Sequence, residues 1–185
     1  MKNANLVSGC LGAAALALFS LGVAGCGTGK PEGAASAAKK TVFDHFTIDV
    51  GGHPASLQVA VLGPEQERGL MERPDLGGDD GMIFVNPSPR KLGIWMHDTP
   101  EPLDLGYLAR DGTIVEMYDL LPMDERVVTS HSDDVQFALE MPKGWFARNG
   151  IRPGARVDMK GLADALEARG FDPVVFRIRE RQLAP

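Results

Sequence analysis

Two acidic residues inside apolar segments are the first candidates for a chemical role. Asp104 and Glu140 are each flanked on both sides by apolar residues, in segments with the alternation of β-strands. A charge at such a position is tolerated only where it is solvated or paired. Arg68 and Arg73 carry planar guanidinium groups that match a carboxylate or a phosphate. We therefore predict one charged cluster around Arg68 and Glu140, joined by Arg73 and Asp104. It would be a pocket for an anionic or sugar-like ligand or, alternatively, a structural ion-pair network.

An aromatic residue followed by polar residues is the second candidate site. Trp95 is followed by Met96, and then by His97, Asp98 and Thr99. A Trp side chain combines a large apolar ring with a hydrogen-bond donor, and sugar sites often place such a ring beside polar groups. These residues are therefore candidate ligand contacts. The alternative is that Trp95 fills the core while Asp98 and Thr99 shape a turn.

Catalysis and metal binding have less support in the sequence. Asp104 and Glu140 could act as the acid and base of a hydrolase, but the chain has no Gly-x-Ser-x-Gly nucleophile motif. Met thioethers and the imidazole of His97 would suit copper, yet no His-x-His or Met-x-x-Met pattern accompanies them. We therefore expect no cofactor and no metal, and we keep an enzyme only as the alternative.

The first 26 residues have the layout of a bacterial lipoprotein signal. Lys2 gives a positive start, residues 4–25 carry no charge, and the segment closes with small residues before Cys26. Small residues suit the signal peptidase, and a Cys directly after the cut supplies the thiol that is acylated. We predict that residues 1–25 are the signal peptide and that Cys26 carries fatty acyl chains such as palmitate. A membrane-spanning anchor is disfavoured because the apolar stretch is rich in Gly and Ala.

Export and charge limit the partners. A lipid on Cys26 would hold the protein in the cell envelope, and Gly27 after it, rather than Asp, indicates the outer membrane facing the periplasm. Loss of residues 1–25 would leave 18 basic and 25 acidic residues, a net charge of −7. This charge argues against a nucleic-acid partner, which would need a basic patch. Because the mature chain would keep only Cys26, we expect no intrachain disulfide.

Residues 26–41 predict a flexible tether, and residues 42–160 predict one β-rich domain. The tether is rich in Gly, Ala and Lys and has no side chains that build a core. In the domain, alternating apolar residues and turn residues predict hairpins and further strands. The predicted elements are a hairpin over 46–61, a short helix over 64–71, strands over 81–85 and 92–96, a hairpin over 103–119, and strands over 135–141 and 155–159. We expect a β sandwich or a barrel-like sheet with one or two short helices.

Residues 161–185 predict a C-terminal extension of this domain. Apolar residues at helical spacing, closed by Gly170, predict a helix. Val174, Phe176 and Ile178 then alternate with polar residues and predict a strand. Because these apolar side chains need a surface to cover them, we expect the extension to pack on the domain.

Five short motifs occur in order along the domain. They are Glu-Arg-Gly-Leu-Met at 67–71, Gly-Met-Ile-Phe at 81–84, Ile-Trp-Met-His-Asp-Thr at 94–99, Pro-Leu-Asp-Leu at 102–105, and Leu-Glu at 139–140 with Gly144. With these motifs, about residues 44–160 resemble the bacterial and archaeal family catalogued as domain of unknown function number 192. Members of that family are small, β-rich and often exported, and their biochemical role is not established. The resemblance therefore implies the fold and leaves the function open.

Two positions depart from the usual pattern of that family. Ile94 stands where the family usually has an aromatic residue, and the pair His97 and Asp98 stands where it usually has Lys-Asn. If that pair contacts a ligand in the relatives, this chain binds a different ligand.

The sequence thus predicts a lipid-anchored, non-enzymatic envelope domain that binds a small polar or anionic ligand, or an envelope partner. A hydrolase that uses Asp104 and Glu140 and a purely structural envelope protein are the alternatives. A cleft in which Arg68, Trp95 and Glu140 meet would favour binding. Two carboxylates that face one open space would favour the enzyme, and a closed surface with every charge paired would favour the structural protein.

Overall fold

The computed structural model describes residues 38–178. The predicted signal peptide, Cys26 and most of the predicted tether fall in residues 1–37, and the end of the predicted extension falls in residues 179–185. These segments lie outside the described residues. Within residues 38–178, no helix is long and apolar enough to cross a membrane.

The protein is mainly β, as predicted, with a six-stranded sheet, a two-stranded sheet and short helices. The strands are β1 (Phe46–Val50), β2 (His53–Ala60), β3 (Asp80–Arg90), β4 (Gly93–Ile94), β5 (Leu103–Ala109), β6 (Ile114–Leu120), β7 (Val128–Thr129) and β8 (Val135–Pro142). The α-helices are α1 (Gly63–Arg68), α2 (Trp145–Arg148) and α3 (Met159–Ala168), and a 3-10 helix spans Pro173–Phe176.

The six-stranded sheet has the order β1-β2-β3-β8-β5-β6, and β4 pairs with β7 in the small sheet. In the large sheet β2 and β3 are parallel, and the other neighbouring pairs are antiparallel. The two predicted hairpins are confirmed as β1–β2 and β5–β6. Isolated bridges connect Val157 to Val50 of β1 and Arg156 to Thr113 beside β6. One short segment therefore contacts both edges of the sheet, which makes this end barrel-like.

Each face of the large sheet carries its own apolar cluster, because successive residues of a strand point to opposite faces. In β8, Phe137 and Leu139 belong to the larger cluster, which α2 and α3 join. Ala138 belongs to the smaller cluster. Glu140 follows the same alternation and is in register with Leu105 of β5, another member of the smaller cluster. The strand pattern therefore places the Glu140 side chain on the face of the smaller cluster.

Three strands predicted within residues 42–160 differ from the structure. The strand predicted over 81–85 is longer, because β3 continues to Arg90 and its prolines fall where the pairing with β8 is irregular. The strand predicted over 92–96 is shorter, since only the two residues of β4 pair with β7. The strand predicted over 155–159 is wrong. That segment makes only isolated bridges, and Asp158 then caps the start of α3.

The C-terminal extension contains the predicted helix but not the predicted strand. Gly170 follows α3 with a φ of 82°, a left-handed conformation that commonly ends helices. The strand predicted over 174–178 is wrong, because this region forms the 3-10 helix, whose first turn is capped by the side chain of Asp172. Leu166 and Phe176 are buried in the larger apolar cluster. The extension therefore packs against one face of the sheet.

Candidate functional site

A cavity of about 220 Å³ lies on the face of the sheet that carries the smaller apolar cluster. One wall is the second half of α1 and the turn after it, residues 66–71. A second wall is β4 with Trp95 and Thr99, and Phe84 of β3 and Glu140 of β8 line the cavity from the sheet. The cavity therefore brings together Arg68, Trp95, Thr99 and Glu140, which the sequence had placed in two separate candidate sites.

Hydrogen bonds rather than buried apolar side chains hold α1 beside the sheet. No residue of α1 is buried. Glu65 accepts hydrogen bonds from the backbone N–H of Leu62 at 2.9 Å and from the guanidinium of Arg169 at 3.2 Å. Gln66 donates to the backbone carbonyl of Val85 at 2.9 Å. Burial alone would raise the pKa of Glu65, but the hydrogen bonds from Arg169 and the backbone lower it below its usual value. The extension therefore helps to position the helix that forms one cavity wall.

Glu140 is a buried carboxyl group that has no hydrogen-bond or ion-pair partner among residues 38–178. It is 3% exposed and lines the cavity, and no described residue forms an ion pair or hydrogen bond with its carboxyl oxygens. Burial raises the pKa of Glu140 to about 8, because loss of hydration disfavours the ionised form. At neutral pH the group is therefore mainly protonated, and it offers the cavity one O–H donor and one carbonyl acceptor.

Arg68 shares the cavity with Glu140 but does not pair with it. Its side chain is 59% exposed, and among the described residues its ion pair is a 3.5 Å contact between its Nη2 and Oε2 of Glu72. Exposed ion pairs contribute little stability. The guanidinium of Arg68 is therefore available to a ligand at the rim of the cavity.

Trp95 presents an exposed ring that neighbouring side chains hold in place. Its exposed fraction is 40%, and it stacks on His97 with ring centroids 4.7 Å apart. His97 Nδ1 lies 2.8 Å from Oε1 of Glu125, and its Nε2 lies 3.4 Å from Oδ2 of Asp98. The hydrogen bond to Glu125, aided by the charge of Asp98, raises the pKa of His97. Within residues 38–178, no group of three His, Cys, Asp or Glu side chains is placed to hold a metal ion.

Backbone hydrogen bonds join the loops beside the cavity, and three residues of these loops have a positive φ; two of them, Glu72 and Asp98, line a groove that adjoins the cavity. Glu72, Asp98 and Met123 have φ values of 57°, 47° and 59°. The N–H of Glu72 donates to the carbonyl of Asp98 at 2.8 Å, and the N–H of Met123 donates to the carbonyl of Thr99 at 3.0 Å. Such conformations cost of order 1–3 kcal/mol each in residues other than glycine, and they cluster at functional sites.

Asp104 and Arg73 do not join this cavity. Asp104 lies on the other face of the sheet, where it accepts hydrogen bonds from Nζ of Lys143 at 3.2 Å and from the N–H of Phe146 at 3.1 Å. Arg73 pairs with a neighbouring aspartate at 2.6 Å. The prediction that both belong to the cluster of Arg68 and Glu140 is therefore wrong. The acid–base pair proposed for a hydrolase is not formed either, because Asp104 and Glu140 are on opposite faces.

Sequence reasoning did not propose several residues of the cavity lining as ligand contacts, among them Phe84 and Glu67. Phe84 lies in an apolar strand, where its sequence context is that of an ordinary core residue, so its local sequence does not indicate a binding role. Glu67 could have been found, because it begins the Glu-Arg-Gly-Leu-Met motif and directly precedes Arg68.

Comparison with known proteins identifies the family. The profile of the family described as "Uncharacterized ACR", domain of unknown function 192, matches residues 46–159. The chain belongs to this family. Most of α3 and the rest of the C-terminal extension lie beyond the matched residues.

Two solved structures are similar to this chain. A protein from Sinorhizobium meliloti 1021, provisionally described as a transcription regulator, is 30% identical with a TM-score of 0.60, and the match covers 64% of this chain and 95% of that one. A protein of unknown function from Novosphingobium aromaticivorans DSM 12444 is 31% identical with a TM-score of 0.58, covering 61% and 84%. No curated protein matches the chain significantly.

Proposed function

We propose that this family member is a lipid-anchored protein of the bacterial cell envelope whose domain binds a small polar ligand in the cavity. The observation that carries this proposal is the buried carboxyl group of Glu140, which pairs with no side chain in the described part of the chain and lines one cavity with Arg68 and Trp95. The position of the exposed Arg68 and the half-exposed Trp95 in the lining gives a ligand a charged group and a ring to contact.

A purely structural role explains Glu140 poorly. Burial of a carboxyl group without a hydrogen-bond partner costs stability, whereas an apolar side chain at the same place would not. Residues that a protein keeps at such a cost are typical of binding or catalytic sites. The strained backbone of Glu72 and Asp98, which line the groove beside the cavity, supports the same interpretation.

Fluorescence quenching can test ligand binding without any substitution. The chain has two Trp residues; Trp95 is 40% exposed and Trp145 is fully buried. Acrylamide therefore quenches Trp95 selectively, and a ligand in the cavity should protect it. We would screen sugars, amino acids, organic acids, amines and nucleobases by this assay and by thermal shift. A ligand at 100 times its Kd should add about 2.7 kcal/mol of stability.

Variants localise any hit to the cavity. Arg68→Ala and Glu140→Leu should weaken binding, while Glu167→Gln, an exposed acid on α3 outside the cavity lining, should leave it unchanged. If no compound protects Trp95, or if every hit binds the cavity variants as tightly as the wild type, the proposed binding function is wrong.

The lipid anchor rests on the sequence layout that ends at Cys26. Acylation with two or three chains would give stable attachment to the outer membrane, facing the periplasm. Cys26→Ser should abolish labelling by a radioactive fatty acid and release the protein into the soluble envelope fraction. Cys10→Ser is the matched control, because Cys10 would be removed with the signal peptide. Retention of the label in the Cys26→Ser protein would contradict the anchor.

The description of the Sinorhizobium meliloti relative as a transcription regulator does not extend to this chain in our proposal. A mature net charge of −7, from 18 basic and 25 acidic residues, opposes binding to nucleic acid. Export to the envelope would also separate the protein from chromosomal DNA.

A further inference from the structure

We infer that the ligand of this cavity is a single uncharged sugar ring, held by hydrogen bonds to Glu140 and Arg68 and by contact with the ring of Trp95. This inference rests on the binding function proposed above and specifies the chemical class of the ligand.

The size of the cavity limits the ligand to about one ring. Its volume of about 220 Å³ lies below the roughly 300–1,000 Å³ of pockets that take drug-sized molecules. The groove beside it, which shares Arg68 and Trp95 in its lining, is more open and also contains His97 and Asp98. One ring could therefore enter the cavity while further rings of a glycan extend along the groove.

The charges around the cavity favour a ligand without net charge. The exposed acid Glu67 and the exposed base Arg68 are neighbours in the lining and balance each other. Glu140 is mainly neutral at pH 7, because burial raises its pKa to about 8. A cation would require Glu140 to lose its proton and would face Arg68. An anion would face Glu67 and would gain no second basic partner from the lining residues.

The polar groups of the cavity come from three different segments. Glu140 lies on β8, Arg68 on α1, and Thr99 in the loop after β4. A protonated carboxyl group both donates and accepts, and Arg only donates. A hydroxyl group can both donate and accept, so a ring with hydroxyls around its perimeter can meet all three. A nucleobase or an amide presents its polar atoms along fewer edges than a sugar ring does, so it would match polar groups on three separate segments less well.

The apolar part of the cavity suits the C–H face of a sugar. Trp95 is 40% exposed and is held in place by its stack on His97, and Phe84 adds a second aromatic side chain to the lining. Aromatic side chains contribute a large apolar contact area with little flexibility. The same cavity therefore offers hydrogen-bonding groups for the edge of a sugar and aromatic rings for its face.

A matched series of ligands tests the charge argument. Glucose, glucosamine and glucuronate share one ring and differ in charge, and galactose, mannose and N-acetylglucosamine extend the neutral set. Binding to the purified protein would be measured by acrylamide protection of Trp95 and by saturation-transfer NMR. We expect at least one neutral sugar to bind, more tightly than the charged sugars. Glu140→Leu should weaken the binding of that sugar about tenfold, equivalent to about 1.4 kcal/mol, because Leu has neither a donor nor an acceptor. Glu140→Gln should weaken it less, because the amide of Gln still offers both.

The pH dependence separates a ligand contact from a structural effect. Above pH 8 the carboxyl of Glu140 ionises and loses its donor, so the affinity of the wild type for the sugar should fall. Glu140→Gln should bind with an affinity that does not change across this range, and the exposed-acid control Glu167→Gln should behave like the wild type.

Other outcomes would overturn the sugar inference alone or the binding function with it. If glucosamine or another amine protects Trp95 more strongly than the neutral sugars, the sugar inference is overturned and the binding function stands. The same holds if only amides or nucleobases protect Trp95. If no compound of the wider screen protects Trp95, both the inference and the proposed function fail.

Discussion

Replacement of Glu140 by Gln should change how the stability of the protein depends on pH. Burial raises the pKa of Glu140 from 4.5 to about 8, so between these values the folded carboxyl holds a proton that the unfolded one has lost. The free energy of unfolding therefore falls as pH rises, by about 1.4 kcal/mol per pH unit from this group. The loss begins near pH 4.5 and levels off above pH 8.

The magnitude at neutral pH follows from the same values. At pH 7 the free energy of unfolding of the wild type should be about 3 kcal/mol lower than at a pH where Glu140 is protonated in both the folded and the unfolded chain. Gln has nearly the same shape and never ionises, so Glu140→Gln lacks this loss. We expect the variant to be more stable than the wild type by several kcal/mol at pH 8, and to lie within about 1 kcal/mol of it below pH 4.5.

Urea denaturation from pH 4 to pH 9 would measure the difference. The comparison is between variant and wild type at each pH, because other titrating groups contribute equally to both. Glu67→Gln is the matched control, since it removes an exposed acid from the same cavity lining and should change stability by under about 0.5 kcal/mol. A difference between Glu140→Gln and the wild type that does not grow with pH would refute the argument. If Glu140→Gln is instead less stable than the wild type by 3 kcal/mol or more at pH 7, Glu140 belongs to a structural ion pair.

Three further predictions test other parts of the structure. Leu166→Ala in α3 removes a fully buried side chain and should destabilise the protein by about 2–5 kcal/mol in urea denaturation; a change under 1 kcal/mol would show that the extension is not part of the core. Arg169→Met leaves the mostly buried carboxylate of Glu65 without its ion pair and should lower the free energy of unfolding by about 3–5 kcal/mol. A second change, Glu65→Gln, should recover most of this stability, and no recovery would contradict the pairing. Gly69→Ala places a side chain at a φ of 49° and a ψ of −129°, a backbone conformation that non-glycine residues rarely adopt, and should cost of order 1–3 kcal/mol. Gly63→Ala, at the first position of α1 where a Cβ meets nothing within 4 Å, should lower the melting temperature much less.

Local patterns predicted a large part of the fold. Both hairpins and the short helix α1 are present near the predicted positions, because alternation and turn residues act over a few neighbouring residues. The strand predicted over 174–178 failed for a local reason that outweighs alternation. Asp172 caps the next turn, so the backbone forms a 3-10 helix there instead of an extended strand.

The sequence identified individual residues of the candidate site but not that they lie together. The sequence marked Arg68, Trp95 and Glu140 one by one, from residue type and from their neighbours. It did not show that the three share one cavity, because they come from α1, the end of β4, and β8. Nothing in the spacing of the chain revealed Arg169 either, which reaches α1 from the extension.

The sequence alone determined that Asp104 and Glu140 are acids inside strands, where burial makes a charge costly. By local pattern the two are alike, since each lies between apolar residues. Only the tertiary structure decided their different surroundings. The register of β5 with β8 pairs Leu105 with Glu140 and Asp104 with Met141, so the two acids point to opposite faces of the sheet. Lys143 meets Asp104 on one face, and a cavity meets Glu140 on the other. Register depends on how whole strands pack their apolar faces, so no short stretch of sequence contains that information.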